Sequence, residues 1–371
     1  MNISHIGVST LPVLHRFGGA IERRIVEIAR EQARRGHRVS VYSVGDTTET
    51  REVSGVTYHF LKCRTRLPLR HLEFQYHVVR ELKKRSADVL HFHSQPEGAW
   101  MSEAVGARKV LSYDFFQFRG GRRTPLYHLY KRALRSFDLL LPCSRYCLEE
   151  SQSFWSFPTS KLRILYNGVN TQQFRPDPEA GARERGQLGI EGKVMLYVGR
   201  VCEQKGSDVL LRAARALRER RRDVRLVVAG PIGQFGLRDD PDGWVRRIEE
   251  VDGLYLGAVE ERRLHAIYNL ADVFVMPTRA NEMFGMAAVE AQASGKPVVA
   301  SDSGGLKEVV PSSCGARVPV GDSARMADEV EKLMDDAERY AACSANARIN
   351  AASYDWARIC DTCDDLYRIA S

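Results

Sequence analysis

The sequence of 371 residues contains no long apolar run. A bilayer span needs roughly 20 consecutive apolar residues, and no window approaches that length. The start, Met1-Asn-Ile-Ser-His-Ile-Gly-Val, also lacks the basic residues and the apolar core of a secretion signal. We therefore expect a cytoplasmic protein, with peripheral attachment to the inner face of the membrane as the alternative placement. An apolar content of 44% is enough for two domain cores at this length.

Cysteine is scarce, with eight residues scattered along the chain and no disulfide-rich segment. Only Cys360 and Cys363 have a metal-like or redox-like spacing, but no second Cys or His pair lies nearby, and their segment has a helical pattern. We interpret them as ordinary helix residues. Asp240 and Asp242 have the D-x-D spacing of metal-dependent transferases, yet they lie in a polar stretch and not after an apolar strand. We interpret this match as chance and predict no metal site.

The three-glycine fingerprint of dinucleotide-binding proteins is also missing. An apolar strand at 4–8 is followed by Gly18-Gly19, by a helix from Ala20 to about Arg35 and by a strand at 38–44. This order predicts a β-α-β unit. A glycine pair at a strand-to-helix turn lets the backbone approach a phosphate, but without the third glycine NAD binding is poorly supported.

Acidic residues are in short supply in the first half of the chain. Residues 1–170 carry 27 Lys and Arg against 15 Asp and Glu, a net charge of +12, whereas residues 171–371 carry 28 against 32, a net charge of −4. A basic face favours an anionic partner such as a membrane surface or a phosphorylated acceptor. A solvated, arginine-rich surface explains the pattern equally well, and no nucleic-acid partner is expected.

The most informative stretch covers 278–310 and reads as loop, helix, strand and loop. Good helix formers fill 287–293, and a Ser-Gly-Lys-Pro break ends the helix. Glu282 precedes the helix and Glu290 lies within it, roughly 12 Å apart at helical rise. That separation is too long for a pair of carboxylates acting on one bond. It suits the two ends of an elongated ligand whose anionic middle lies at the helix N-terminus.

The E-x7-E pattern of Glu282 and Glu290, followed by Ser294-Gly-Lys-Pro-Val-Val-Ala-Ser-Asp-Ser-Gly-Gly305, resembles the donor site of the retaining family 4 glycosyltransferases of the GT-B fold. The resemblance implies an α/β protein with two Rossmann-like domains facing a central cleft and a C-terminal helix that crosses back to the first domain. The implied boundaries are 1–172 for an N-terminal acceptor-binding domain, 173–353 for a C-terminal nucleotide-sugar-binding domain, and 354–371 for the terminal helix.

The resemblance also implies roles for single residues in the donor site. Arg200 and Lys205, in the G-R-x4-K-G pattern, would stabilise the donor diphosphate, and Glu282 would orient the sugar. These three form the predicted catalytic set, and Glu290 would accept the ribose hydroxyls. The predicted donor-binding residues are Gly18, Gly19, Gly257, Val259, Phe284, Gly285, Met286 and Glu290.

Three residues are predicted to bind the acceptor. His93 closes a predicted strand at 88–93, where open α/β sheets place ligands, with a packed histidine as the alternative. Asp114 stands where the resembled family commonly has a histidine, which suggests an acceptor with donor groups or a positive charge. Arg119, on the loop that follows, favours an anionic acceptor instead.

Two local features complete the prediction. The residues at 175–186 are rich in Pro, Asp, Glu and Gly and are interpreted as a linker between the domains. Ser207 is predicted to be the N-cap of a helix at 207–222.

The resemblance implies a retaining glycosyltransferase that moves a hexose or N-acetylhexosamine from a nucleotide diphosphate sugar without a metal or any cofactor beyond this co-substrate. A UDP-sugar is favoured over a GDP-sugar. The expected acceptor is a lipid-linked or cell-envelope saccharide, and a small natural-product aglycone such as an aminocyclitol is the alternative. Two other classes stay open: a nucleotide-sugar epimerase on the same fold, and a membrane-surface binding protein that has lost catalysis.

Overall fold

Apolar runs of four to eight residues alternate with amphipathic segments along the chain, and they form two separate sheets. The structure, a computed structural model, describes residues 1–15, 19–66, 69–96, 98–102, 105–114, 124–155, 157–233 and 240–369. The chain divides into unit 1, Met1–Gly168 with Trp356–Ser371, and unit 2, Val169–Asp355. The sequence-based boundaries at 172 and 354 lie within a few residues of these divisions.

The strands of both units are short and mostly buried. They are β1 (Asn2–Ile6), β2 (Arg38–Gly45), β3 (Glu49–Val53), β4 (Val56–Lys62), β5 (Val89–His93), β6 (Arg108–Tyr113), β7 (Leu139–Pro142), β8 (Lys193–Val198), β9 (Val224–Ala229), β10 (Leu254–Tyr255), β11 (Val273–Met276), β12 (Val298–Ser301) and β13 (Gly315–Val318).

The helices connect these strands and cover the sheets. They are α1 (Ala20–Arg34), α2 (Leu69–Leu82), α3 (Gly98–Met101), α4 (Pro125–Arg135), α5 (Arg145–Trp155), α6 (Pro178–Leu188), α7 (Ser207–Arg220), α8 (Pro241–Glu249), α9 (Glu261–Asn269), α10 (Met286–Ala293), α11 (Leu306–Val309), α12 (Ser323–Asp335), α13 (Ala337–Ala352) and α14 (Trp356–Ile369). In the part of the chain that the structure describes, none of them combines the length and apolar character needed to cross a membrane.

Each unit contains one sheet with a reversal of strand order near its middle. In unit 1 the order is β3-β4-β2-β1-β5-β6-β7, parallel except for the antiparallel β3-β4 pair. In unit 2 the order is β10-β9-β8-β11-β12-β13, and all pairs are parallel. The reversals fall between β1 and β5 and between β8 and β11. Open α/β sheets bind ligands beyond the carboxyl ends of the strands at such switch points.

The linker prediction for 175–186 is wrong, because α6 occupies most of this segment. Asp177 caps the helix by accepting a hydrogen bond from the backbone N–H of Ala180, and Pro178 lies in the first turn. An acidic cap and an N-terminal proline favour helix formation strongly enough to outweigh the glycines in the segment.

The predicted N-cap role of Ser207 is also wrong. Gly206 is the N-cap of α7, and Ser207 is its first helical residue. The Ser207 hydroxyl instead accepts a hydrogen bond from the backbone N–H of Cys202 at 3.0 Å. The side chain therefore fixes the loop that precedes the helix.

The last helix, α14, belongs to unit 1 and packs on α1. The thiols of Cys360 and Cys363 are reduced and buried on its inner face, which confirms their interpretation as helix residues. Asp240, from the D-x-D match, is the N-cap of α8 and accepts from the Gly243 N–H at 2.9 Å. This gives Asp240 a structural role.

The approach of α14 to the end of the first segment of unit 1 leaves no space for a side chain at Gly168. A Cβ atom built there would lie 2.5 Å from the Trp356 ring. We predict that Gly168→Ala lowers the free energy of unfolding by about 1–3 kcal/mol, the usual cost of overpacking. Denaturant unfolding would measure this. Gly106→Ala is the control in the same unit, since a Cβ there meets nothing within 4 Å. Equal stabilities of the two variants would contradict the prediction.

Candidate active site

Two loops meet at the switch point of unit 2, one after β8 and one after β11. The backbone carbonyl of Gln204, in the first loop, accepts hydrogen bonds from the N–H groups of Arg279 and Ala280 in the second, each at 3.1 Å. The Thr278 hydroxyl donates to the Ala280 carbonyl at 3.0 Å and lies 3.4 Å from the Gln204 carbonyl. These bonds hold side chains from distant parts of the sequence at one edge of the sheet.

Gly206 allows this close approach of the two loops. Its φ of +75° lies in the left-handed region, and a Cβ there would lie 1.9 Å from the carbonyl oxygen of Pro277. Both the backbone conformation and the contact therefore require glycine.

The switch point brings together two of the three predicted catalytic residues. The Lys205 Nζ lies 2.6 Å from the Glu282 Oε2, and the two side chains are 26% and 16% exposed. Arg200 lies on the same loop as Lys205, half-buried, and its carbonyl accepts from the Tyr197 hydroxyl at 2.6 Å. Burial raises the pKa of Tyr197, and the nearby Cys202 and Glu282 raise it further. The Lys205 ammonium and the Glu282 carboxylate thus lie side by side in a partly desolvated environment.

The backbone of Glu282 is fixed by the glycine turn that follows β12. The Gly305 N–H donates to the Glu282 carbonyl at 2.7 Å. A Cβ at Gly305 would lie 2.3 Å from the carbonyl oxygen of Met283. The glycine pair of the resembled motif therefore supports the residues just before α10.

The N-terminus of α10 begins directly after this supported segment. Its N-cap is Gly285, so the described residues provide no side-chain cap for the first N–H groups. Met286 is the first helical residue and is buried, and Phe284 packs edge-on against Tyr354 at 5.4 Å between ring centroids. A helix start with uncapped amides favours an anion through its dipole and its N–H groups.

Glu290 lies further along α10 and is only 2% exposed. Its Oε2 accepts a hydrogen bond from the Tyr268 hydroxyl at 2.7 Å. The Tyr268 ring packs in turn against Phe174 and Phe274. The sequence analysis missed Tyr268, which holds this carboxylate in one orientation.

The predicted base-binding turn follows β10. The Gly257 carbonyl accepts from the Gly230 N–H at 2.7 Å, and a Cβ at Gly257 would meet nothing within 4 Å. Val259 is half-buried two residues later. The turn is thus tied to the end of β9 and has open space beside it.

In unit 1, Gly19 is the N-cap of α1, whereas Gly18 and Arg119 lie outside the described residues. The Glu22 carboxylate folds back over Gly19 and accepts from its backbone N–H. Burial raises the pKa of Glu22, and the nearby charge of Asp114 adds to this rise.

Asp114 follows β6 and is paired with a buried cation. The Arg24 Nη1 lies 2.8 Å from the Asp114 Oδ1, and the Asn167 Nδ2 donates to the same oxygen at 3.0 Å. The Arg24 side chain is 1% exposed. The charge of Asp114 is therefore balanced within unit 1, which removes the sequence-based argument for a cationic acceptor. Sequence reasoning missed Arg24, although it shares a helix face with the buried Ile28.

His93 is fully buried at the end of β5, in a cluster with His91 and with His5 of β1. The His5 Nδ1 lies 3.1 Å from the His93 Nε2, and the rings of His91 and His93 stack with centroids 4.3 Å apart. Burial lowers the pKa of His5 to about 4 and the pKa values of His91 and His93 well below the ordinary range. All three rings are therefore neutral near pH 7.

Comparison with known proteins matches both halves of the chain. The family model described as glycosyl transferases group 1 matches residues 182–350, and the model described as glycosyltransferase family 4 matches residues 17–173. An uncharacterized glycosyltransferase of Methanocaldococcus jannaschii is 29% identical over 80% of this chain and 80% of its own length. A D-inositol 3-phosphate glycosyltransferase of Catenulispora acidiphila is 37% identical over 57% of this chain. The chain spans about half of that relative, 52% of its length.

The fold agrees with these matches. The solved structure of Anabaena HepE in complex with UDP and glucose superposes with a TM-score of 0.77 and 20% identity, covering 99% of each chain. The two doubly wound sheets and this superposition over nearly the whole chain confirm the predicted GT-B fold. With both halves matched, the chain is a glycosyltransferase of the GT-B type.

The contact at Gly206 generates a prediction about the site. Gly206→Ala adds left-handed strain and a clash with the Pro277 carbonyl, and we expect the free energy of unfolding to fall by about 3 kcal/mol. Gly189→Ala is the control, because Gly189 has a φ of +61° but a Cβ there meets nothing within 4 Å. It should lose only about 1 kcal/mol. Thermal unfolding of both variants would measure the difference, and equal losses would refute the close contact.

Proposed function

We propose that the protein is a retaining family 4 glycosyltransferase that transfers a hexose or N-acetylhexosamine from a nucleotide diphosphate sugar. The observation that carries the proposal is the Lys205–Glu282 pair at 2.6 Å, set at the switch point of unit 2. In the chain, Glu282 lies only four positions before Met286, the uncapped start of α10. Unit 2 would bind the donor and unit 1 the acceptor.

The site supports leaving-group stabilisation. As the bond to the sugar breaks, negative charge develops on the diphosphate, and fixed cations nearby lower the barrier. Arg200 would contact the phosphates with its forked guanidinium, and Lys205 would act as a point charge. Lys205 would then share its charge between Glu282 and the phosphate, while Glu282 would accept from the sugar hydroxyls. The backbone amides at Phe284 to Met286 would complete the cradle.

No metal is needed in this proposal, since Arg200 and Lys205 provide the positive charge that a divalent ion supplies in other transferases. The proposal assigns no covalent nucleophile, because it assigns the Glu282 carboxylate to the sugar hydroxyls. The proposal therefore uses front-face attack by the acceptor hydroxyl, which retains the anomeric configuration.

A UDP-sugar is the favoured donor, because the structurally similar Anabaena HepE was solved with UDP and glucose. Gly257 and Val259 would face the base, and Glu290 would accept the ribose hydroxyls after reorientation of its contact with Tyr268. The net charge of +12 over residues 1–170 supports an acceptor that is anionic or lies at an anionic membrane surface, such as a lipid-linked saccharide.

Nucleotide release from a panel of UDP-, GDP- and ADP-sugars tests the proposal. The reactions would contain a chelator and a cell extract as the source of acceptor. We expect release from a single donor, dependent on the extract and undiminished by the chelator. Product analysis by NMR should show the anomeric configuration of the donor. Inverted product, or donor converted to an isomer without release of nucleotide, would overturn the proposal.

Two substitutions separate the proposed phosphate and ribose contacts. Lys205→Ala should lower kcat by 100-fold or more, roughly the loss caused by removing one transition-state donor, with little change in nucleoside affinity. Glu290→Ala should weaken nucleotide binding by about 1.5–3 kcal/mol, the value of a charge-assisted hydrogen bond. Steady-state kinetics and calorimetry would measure these effects. Lys307→Ala, at a side chain 57% exposed, is the control and should behave like wild type. Wild-type turnover in Lys205→Ala would exclude the phosphate role.

A further inference from the structure

The switch point of unit 1 contains a chain of buried hydrogen bonds that starts at α14. Asp364 of α14 is held by the guanidinium of Arg35, with 3.2 Å between Oδ2 and Nη1. Its other oxygen, Oδ1, accepts from the Gln32 Nε2 at 3.1 Å. Because a carboxylate beside arginine only accepts hydrogen bonds, the Gln32 amide must direct its NH2 group toward Asp364. The Gln32 carbonyl oxygen then faces His5.

This orientation of Gln32 determines the tautomer of His5. The Gln32 Oε1 lies 2.8 Å from the His5 Nε2, and a carbonyl oxygen can only accept. The His5 Nε2 therefore carries the ring proton. Since His5 is neutral, its Nδ1 is a bare lone pair and must accept from its neighbour.

The neighbour of His5 is His93, whose Nε2 lies 3.1 Å from the His5 Nδ1. The His93 Nε2 must carry the proton and donate it, so the His93 Nδ1 is left as an acceptor. Among the residues that the structure describes, this Nδ1 is buried and has no hydrogen-bond partner. We name Asp364, Gln32, His5 and His93 the histidine relay.

Arg24 presents the complementary groups. Its Nη1 donates to Asp114 and Asn167, but its Nε and Nη2 are buried without partners within the described ranges. Arg24 also lies close enough for its charge to lower the pKa of His93 further. Unmade hydrogen bonds of this kind are costly, so a ligand group that satisfies them gains affinity.

The group that fits is a neutral hydroxyl. A hydroxyl can donate its proton to the His93 Nδ1 and accept from Arg24 at the same time. A deprotonated phosphate or carboxylate oxygen has no proton to donate, and the charge of Arg24 is already balanced by Asp114. An ammonium group could not accept from Arg24.

A metal ion is the other ligand to consider, since one nitrogen of each of the three histidines lies within 4.8 Å of the others. Both nitrogens of His91 are occupied, Nδ1 by the Tyr367 hydroxyl at 2.6 Å and Nε2 by the Ser112 hydroxyl at 2.7 Å. The rings of His91 and His93 are stacked at 26°, so their lone pairs lie in nearly parallel planes and do not converge. This arrangement favours hydrogen bonds over coordination.

We propose that His93 and Arg24 form a subsite for one hydroxyl of a neutral sugar or polyol portion of the acceptor, with the histidine relay keeping the His93 Nδ1 as the hydrogen-bond acceptor. The assignment of this hydroxyl to the acceptor rests on the proposed function. Gln32 and Asp364 are positioning residues, because they act on the ligand only through His5 and His93.

Two-bond proton–nitrogen NMR spectra of the imidazoles test the relay without any substrate. At pH 7 we expect His93, assigned by its loss in His93→Gln, to be protonated only at Nε2. Gln32→Met should lose this bias and show both tautomers. Thr50→Val, which removes a 3.0 Å hydrogen bond to His59, a histidine of unit 1 outside the relay, is the matched control and should leave His93 unchanged. A His93 protonated at Nδ1, an imidazolium, or one Zn²⁺ bound per chain and lost in His93→Gln would overturn the relay.

Transfer kinetics test the hydroxyl. With the donor identified by nucleotide release and the acceptor-active fraction of the extract, Gln32→Met should raise the half-saturating amount of acceptor about fivefold, the effect of one neutral hydrogen bond, with a smaller change in kcat. Thr50→Val should change neither quantity. Adding the acceptor fraction should also shift the wild-type His93 Nδ1 resonance, whereas inorganic phosphate should not.

The NMR and kinetic experiments distinguish failure of the subsite from failure of the proposed function. An unmoved His93 resonance during active transfer would overturn the subsite and indicate a buried water in its place. If no donor were consumed, the glycosyltransferase proposal would fail, while the tautomer of His93 would still decide the relay.

Discussion

The architecture of the unit 2 switch point depends on the contact between Gly206 and the carbonyl of Pro277. This contact allows the loop after β8 to lie directly against the loop after β11, so that Lys205 reaches Glu282 at 2.6 Å. A side chain at position 206 would separate the loops and place the cation and the carboxylate apart. The Lys205–Glu282 pair of unit 2 therefore depends on backbone packing between Gly206 and Pro277, which are distant in the sequence.

The polar groups at the two switch points differ in charge and in exposure to solvent. In unit 2, charged groups stay partly exposed, so solvent and a neighbouring carboxylate stabilise Lys205. In unit 1, three fully buried imidazoles remain neutral, because burial in a low-dielectric environment penalises their protonated forms. The first arrangement suits an anionic ligand that exchanges partners with Glu282. The second suits recognition by fixed donors and acceptors, whose polarity is set by hydrogen bonds from outside the site.

Much of the fold could be predicted from the sequence. Apolar runs and helix formers gave the alternation of strands and helices, and the motifs at 199–206 and 282–305 placed Lys205 and Glu282 in one site. Predictions from local sequence were wrong where residues that favour a helix and residues that favour a turn lie in the same segment. Proline and an acidic cap formed α6 in a segment that glycine made resemble a linker, and Gly206 displaced Ser207 as the cap of α7.

Long-range polar partners were the part that sequence reasoning could not find. Arg24 pairs with Asp114 across 90 positions, and Gln32 meets Asp364 across 332. Their positions on the buried face of α1 are visible from helical spacing, since residues 24, 28 and 32 share one face. Which groups they meet depends on the strand order and on the docking of α14, and neither is encoded locally.

The membership of α14 in unit 1 has a consequence for synthesis of the chain. Unit 2 is inserted between the two segments of unit 1, so the ribosome completes all of unit 2 before α14 emerges. All strands and helices of unit 2 have been synthesised at that point. Unit 1 must wait with the inner face of α1 uncovered and with Gln32 lacking the carboxylate that orients it. The order of translation thus completes the strands and helices of unit 2 before those of unit 1, although unit 1 contains the first residues of the chain.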